Sequence, residues 1–398
     1  MIVTIHPGAL RGCVAAPPSK SHVHRLLIAG ALAREETRIY CPGENEDIAA
    51  TARCLARLGA RITRTEDSFV IAGPPAAGGA AALDCGESGT TLRFLLPLCA
   101  ALDQDITLTG RGRLPKRPNA PLLSALRSHG ARIEGELLPL TVKGGLRSGA
   151  YALPGDVSSQ YFSGLLLALP LLAGDSALQS TSPLESMPYV ALTLAVLRQF
   201  GVRAEETEGG WQVPGGQSYR SPGDAAAEGD WSAAAFWRGA NHLGGAVRVT
   251  GLDAASCQGD KAIDQWLSRI GGVIDVSQTP DLMPILAAVA AAIPGAVTRI
   301  TGASRLRLKE SDRLAAMADA IRALGGEAEE ETDGLLIRGA ALRGGVIDGK
   351  NDHRVVMSAA IAATACHGPV TILGAEAVNK SYPRFWKDFE ALGGLIHG

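Results

Sequence analysis

Six polar clusters stand in front of apolar runs in this 398-residue chain: SKSHVHR from Ser19, GESGTTLR from Gly86, GDVSSQYF from Gly155, EGDWS from Glu228, TPDLMP from Thr279 and KNDHRVV from Lys350. Each reads as the start of a helix. The unsatisfied backbone N–H groups and dipole of a helix start make a seat for an anion, worth roughly 0.3–1 kcal/mol per charge. For any one cluster, plain capping by Ser, Asp or Thr is the simpler account, and it covers Ser158 and Thr90. It does not cover Lys20, Arg25, Arg93 and Arg354, which the pattern puts in first turns, where the dipole disfavours cations. A cation there calls for an anionic ligand. If such helix starts face a common cleft, the cleft attracts polyanions.

Further cations come in tight groups: Arg111, Arg113, Lys116 and Arg117 in GRGRLPKRP, Arg305, Arg307, Lys309 and Arg313 in SRLRLKESDR, and Lys380 with Arg384 in NKSYPR. A run of this kind is ordinarily a solvated face. In LRLKESDRL, however, the alternation reads as a strand leading into a helix, with Glu310 among cations as a catalytic acid would be. Asp281, between Pro280 and a long apolar run, is either a first-turn acid or a carboxylate held ionised by nearby cations, as a general base must be. His353 in NDHR reads as a core histidine, the default for a lone His. No H-E-x-x-H, C-x-x-C, calcium-loop or G-x-x-x-x-G-K-[ST] pattern occurs, so neither a metal nor a nucleotide loop is implied.

The elements that must position these residues repeat. LARLGARI, LRSHGARI, LRQFGVRA, LSRIGGVI, IRALGGEA and FEALGGLI centre on Gly59, Gly130, Gly201, Gly271, Gly325 and Gly393, about 70 residues apart with one shorter interval. Each reads as an amphipathic helix stopped by a left-handed glycine and followed by a strand. Between them recur a polar cluster, an apolar helix and a short β-branched strand: ITLTG, VRVTG, VTRITG and VTILG. Six units divide into three and three. The Pro-, Gly- and Ser-rich stretch YRSPGDAAAEGD is the natural crossing between halves. The chain opens with strands (MIVTI, GCVAAP) and ends just after its last LGG. The opening strands are therefore expected to complete the final unit, giving one domain over 19–221 and a discontinuous one over 1–18 plus 222–398.

The motifs SKSHVHR, SGTTLR, RLPKRP, SSQYFSGLL, ESMPY, TPD, LKESDR, NDHR and NKSYP run from Ser19 to Pro383 in the order found in the 5-enolpyruvylshikimate-3-phosphate synthase family, which the chain resembles over nearly its whole length. The resemblance implies an α/β (α+β) fold of the inside-out α/β barrel type. It has two globular domains, each of three βαβαββ-like repeats around buried helices, joined by a double crossover. The implied activity transfers the enolpyruvyl group of phosphoenolpyruvate to the 5-hydroxyl of shikimate 3-phosphate by addition and elimination, without cofactor or metal, on the route to chorismate. Carried over by motif, shikimate 3-phosphate is expected at Lys20, Ser21, Arg25, Ser158, Ser159, Gln160, Ser186, Tyr189, Asp281 and Lys309. Phosphoenolpyruvate is expected at Lys20, Gly89, Arg117, Gln160, Arg313, Arg354 and Lys380. Lys20, Asp281 and Glu310 are the implied catalytic groups. The resemblance also implies a cytoplasmic monomer and a target of glyphosate. Glu87 and Ser88 precede Gly89 where many members have Asn and Ala, and Arg305 stands where Asn or an apolar residue is common. Neither Glu87 nor Arg305 is counted in the expected site.

Bulk composition narrows the alternatives. With 38 Lys and Arg against 40 Asp and Glu, the net charge of −2 gives no general field for nucleic acid or an anionic membrane. Runs such as LMPILAAVAAAIPG are too short and too broken to span a bilayer. Seven scattered cysteines suit a reducing cytosol rather than a disulfide framework. The rival readings are the enolpyruvyl transferase acting on UDP-N-acetylglucosamine, a non-catalytic anion- or nucleotide-binding repeat protein, and an RNA-end-processing cyclase. The first has a reactive loop cysteine that GRGRLPKRP lacks. The acidic balance and missing nucleotide loop argue against the others.

Overall fold

The six apolar runs form helices at Lys20–Leu32, Gly89–Ala101, Ser159–Ala168, Trp231–His242, Met283–Ala291 and His353–Ala363. The computed structural model describes residues 1–73, 81–102 and 105–397. These helices are buried on nearly every side; all nine residues of Met283–Ala291 are buried. They are apolar all round because each lies inside a core rather than on one. Glycine sets how closely they pack. A β-carbon at Gly164 would overlap the carbonyl oxygen of Arg93 in the neighbouring helix, and one at Gly239 would stand 2.7 Å from Ile285 Cδ1.

Two compact units result, Pro18–Ala227 and Met1–Pro17 with Glu228–Gly398, each around its own hydrophobic core. The return crossing falls after Ala227 rather than near Ser221, because the strand Asp224–Ala226 pairs in parallel with Thr37–Tyr40 of the first unit. Three sheets of the first unit share one plan: a parallel pair, then two antiparallel strands. They are Asp224–Ala226, Thr37–Tyr40, Ser68–Ala72, Arg61–Arg64; then Ala81–Asp84, Asp105–Thr109, Leu140–Lys143, Ile133–Glu134; then Ala150–Leu153, Ser176–Ser180, Gly210–Val213, Glu205–Thr207.

The second unit repeats the plan in Val273–Asp275, Val297–Thr301, Gly334–Arg338, Glu327–Glu331, and in Gly345–Asp348, Val370–Leu373, Ile2–His6, Leu395–His397. Ile2–His6 thus takes the third place in the last sheet. Arg11–Ala15 pairs in parallel with Ala246–Thr250. There the chain runs directly from the helix Ile263–Leu267 into Val273–Asp275, which opens the next sheet. That missing hairpin is the short interval before Gly325.

The glycines at 59, 130, 201, 271, 325 and 393 all have positive φ, between 72° and 105°. At five of them the next amide reaches back five residues, as Ala60 does to Leu55 and Gly326 to Ile321, satisfying carbonyls that the helix end leaves open.

One expected element is corrected. The stretch around SRLRL is a 3-10 helix, Ser304–Leu308, not a strand. Leu306 is fully buried while Leu308 is 45% exposed, so the alternating leucines never shared a face.

Candidate functional site

In the first unit Lys20 opens its helix, and its Nζ donates to Asp47 Oδ2 at 2.9 Å. Ser21 follows, and its carbonyl accepts from Arg25 Nη1 at 2.6 Å. Arg25 is 2% exposed and donates also to Thr193 Oγ1, Ser163 Oγ and the Tyr189 carbonyl, with its guanidinium 4.9 Å from the Phe94 ring centre. Burial pushes its pKa down to about 9, which still leaves a cation at neutral pH. Arg117, 5% exposed, lies against Gly89: a β-carbon there would stand 2.6 Å from Nη1.

Gln160 joins two helices, accepting from Arg93 Nη1 and donating to Thr90 Oγ1, both at 2.8 Å. Ser158 caps the helix that begins at Ser159, accepting from the Gln160 amide, and both serines are buried. Ser186, also buried, has a left-handed backbone (φ 56°) ahead of Met187–Gln199, the helix that carries Tyr189.

Two expectations change here. Arg25 and Arg93 stand one turn further into their helices than first-turn positions, where the dipole has faded, and neighbouring oxygens hold their guanidinium groups. Thr90 is not a cap: Ser88 caps that helix, and Thr90 receives Gln160.

In the second unit one guanidinium gathers the acids. Arg313, 2% exposed, donates from Nη1 to Asp281 Oδ1 at 2.9 Å, from Nη2 to Glu310 Oε2 at 2.7 Å and from Nε to Asp352 Oδ2 at 2.8 Å. Arg354 donates to Asp281 Oδ2 and to its carbonyl, each at 3.0 Å. Asp281 lies in the short 3-10 helix Pro280–Leu282. Burial alone would raise its carboxyl, but Arg354, Lys309 and Arg313 together hold it well below the usual carboxylate range. Lys380, 5% exposed, donates to the Asn351 carbonyl at 2.7 Å. Lys350 and Asn351 both adopt positive φ there, a strained pair of the sort that gathers at functional sites.

Three acids escaped the sequence reading. Asp47 is the partner of Lys20. Asp352, fully buried, takes Arg313, the Ser311 hydroxyl and the Arg354 amide. Asp260 takes the Ser232 hydroxyl, and its pKa is pushed up to about 6 by burial, with Asp281 adding to the shift. Their only signal was an acid near a helix start, which capping explains equally well. Among the described residues no group of three or more His, Cys, Asp or Glu is placed to hold a metal ion.

The family model for EPSP synthase (3-phosphoshikimate 1-carboxyvinyltransferase) matches residues 5–279 and 272–389. The chain belongs to the EPSP synthase family. Among relatives in that family, the 3-phosphoshikimate 1-carboxyvinyltransferase of Clostridium acetobutylicum is 40% identical, over 99% of this chain and 98% of that one. The enzyme of the same name from Halobacterium salinarum is 41% identical, over 99% of each. A solved EPSP synthase from Acinetobacter baumannii superposes with a TM-score of 0.82 at 27% identity, covering all of both chains. The family's inside-out α/β barrel fold accounts for the repeated sheets described above.

Proposed function

We propose that this chain is a 3-phosphoshikimate 1-carboxyvinyltransferase, moving the enolpyruvyl group of phosphoenolpyruvate onto the 5-hydroxyl of shikimate 3-phosphate and releasing phosphate. The observation that carries the reading is Arg313: one guanidinium holds three carboxylates, and two of them, Asp281 and Glu310, are the proton-transfer groups that the reaction needs.

Shikimate 3-phosphate is held through its phosphate by Ser158, Ser159 and Ser186 and through its carboxylate by Ser21 and Arg25. Lys20, Gln160, Tyr189, Asp281 and Lys309 are its remaining proposed contacts. Four of the five Arg25 donors are engaged within the chain, so Ser21 and the charge of Arg25 do most of that work. Phosphoenolpyruvate is bound by Lys20, Gln160, Arg117, Arg313, Arg354 and Lys380 and by the amides beginning at Gly89, a donor set suited to phosphate and carboxylate.

The reaction is an addition followed by an elimination. The 5-hydroxyl oxygen attacks C2 of the enol as its proton passes to Asp281, and Glu310 delivers a proton to C3. In the tetrahedral adduct the C2–O bond to phosphate then breaks. C3 returns its proton to Glu310, Asp281 gives its proton to the leaving phosphate, and Lys20 offsets the charge changes at both steps. The ion pairs give this sequence a trigger. Substrate anions compete for Arg313 and Arg354, so Asp281 and Glu310 lose the partners that stabilise their charged forms and hold protons more readily.

All seven cysteines are free thiols, which supports a reducing cytoplasmic setting. No helix among the described residues is long and apolar enough to cross a membrane. The motif resemblance supports a monomer and a target of glyphosate. A coupled phosphate-release assay tests the activity: release with phosphoenolpyruvate and shikimate 3-phosphate together is expected. Release only with UDP-N-acetylglucosamine as acceptor would overturn the assignment.

A further inference from the structure

A line of buried side chains runs to the helix start at Gly89 and is not used by the scheme above. His24 Nδ1 lies 2.7 Å from Thr51 Oγ1, Thr51 Oγ1 lies 2.7 Å from Thr91 Oγ1, and Thr91 Oγ1 donates to Ser88 Oγ at 2.8 Å. His24, Thr51 and Thr91 are fully buried and Ser88 is 1% exposed.

The direction of the line follows from counting protons. Thr91 gives its only hydroxyl hydrogen to Ser88, so towards Thr51 it must accept. Thr51 therefore donates to Thr91 and must accept from His24, which fixes the imidazole proton on Nδ1. His24 is neutral, because burial, then Lys20 and Arg25, lower its pKa well below the ordinary value. Its Nε2 has no hydrogen-bond partner among the described residues, so no second bond competes for the tautomer.

At the far end Ser88 Oγ accepts twice, from the Thr91 hydroxyl and from the Thr91 amide at 3.1 Å. Both lone pairs are filled. What remains is the hydroxyl hydrogen, which no described acceptor takes. Ser88 is the cap residue of the helix Gly89–Ala101, whose first residue, Gly89, lies against Arg117. A hydroxyl that can only donate, buried at the cap of a helix whose first residue packs against a guanidinium, suits a ligand atom that can only accept.

We infer that Ser88 is a further binding residue for phosphoenolpyruvate, its hydroxyl locked as a donor to a phosphate or carboxylate oxygen by the line His24–Thr51–Thr91. Thr91, Thr51 and His24 are positioning residues that act through it. The inference rests on the proposed activity and adds a residue to it. The lock also makes the seat selective, since a ligand group that needs an acceptor finds none on Ser88.

Steady-state kinetics on the full chain tests this. Ser88→Ala is expected to raise the KM for phosphoenolpyruvate about tenfold or more, the usual effect of losing a hydrogen bond to a charged group. The KM for shikimate 3-phosphate should move far less, and Ser88→Thr should recover most of the loss. Thr91→Val separates binding from capping, because it keeps the Thr91 amide bond to Ser88 but removes the hydroxyl that orients it. It is expected to raise the KM for phosphoenolpyruvate about threefold. A purely capping Ser88 predicts no change in Thr91→Val, and that result would overturn the inference. If Ser88→Ala does not fold, Thr91→Val decides alone. A wild-type chain that fails to turn over removes the activity and the inference together, whereas an active wild type with a normal Thr91→Val removes only the inference.

Discussion

Arg117 lies so close to Gly89 that a β-carbon on the glycine would stand 2.6 Å from Nη1 and 2.8 Å from Cζ. The absent side chain is what lets a guanidinium reach the amide end of that helix, where two positive features reinforce each other. An anion is the natural occupant.

Gly89→Ala should therefore displace Arg117 rather than unfold the protein, since the clash is with the far end of a flexible side chain. The expected result is a rise of about tenfold in the KM for phosphoenolpyruvate. The shift in melting temperature should stay within a few degrees. Kinetics and a thermal melt on the same preparation check both, and an unchanged KM would remove Arg117 and Gly89 from the substrate site.

Asp281→Ala and Glu310→Gln test the two proton-transfer roles. General acid or base groups contribute about 100- to 10,000-fold, so each variant should lose at least that factor in turnover. Shikimate 3-phosphate binding, followed by calorimetry, should survive. A variant with near-normal turnover excuses its residue from the mechanism.

Backbone punctuation was legible in the sequence because it is local. A helix ending in Leu-Gly needs only its own residues to place the glycine at positive φ, and Gly59, Gly130 and Gly201 do so without help from afar. The place of Ile2–His6 between Val370–Leu373 and Leu395–His397 was legible too, because the last repeat lacked a strand that the first residues could supply. Ion pairing was not legible. Asp352 meets Arg313 from 39 positions away, and nothing in NDHR distinguishes that acid from an ordinary cap. The leucines of SRLRL misled because four alternating residues fit a strand equally well until tertiary contacts bury one and expose the other.

Asp260 should tie stability to pH in the opposite sense from most acids. Its folded pKa, about 6, lies above the unfolded value of roughly 3.9. Below about pH 4 both states carry the proton and burial has no electrostatic penalty. Between the two values the unfolded chain releases its proton more readily, so the penalty grows, and above about pH 6 it is constant. Asp260→Asn keeps an acceptor for Ser232 without the charge. Its melting temperature should exceed wild type by about 6–12 °C at pH 8 and match it near pH 4, since a shift of about two pKa units is roughly 3 kcal/mol and each kcal/mol moves a unit of this size by about 2–4 °C. Equal differences at both pH values would show that Asp260 is not the titrating group.

Arg313→Met presents the reverse case. The arginine is 2% exposed and holds Asp352, itself fully buried, together with Asp281 and Glu310. Removing it leaves carboxylates in a poorly solvated site, and breaking a buried pair from one side costs about 3–5 kcal/mol. Asp352→Asn added to Arg313→Met should recover part of that loss, because the stranded charge is then gone. The pH dependence distinguishes electrostatics from lost packing. Burial would raise Asp352, but Arg313 and then His353 pull it below its ordinary value, and Asp281 is likewise depressed. The stability these acids contribute is complete above the unfolded carboxylate pKa of about 3.9 and disappears as pH falls through their folded values. Wild type and Arg313→Met should therefore differ most near neutrality and converge in acid. A gap that stays constant from pH 7 down to pH 3 would mean that Arg313 stabilises the unit by packing alone.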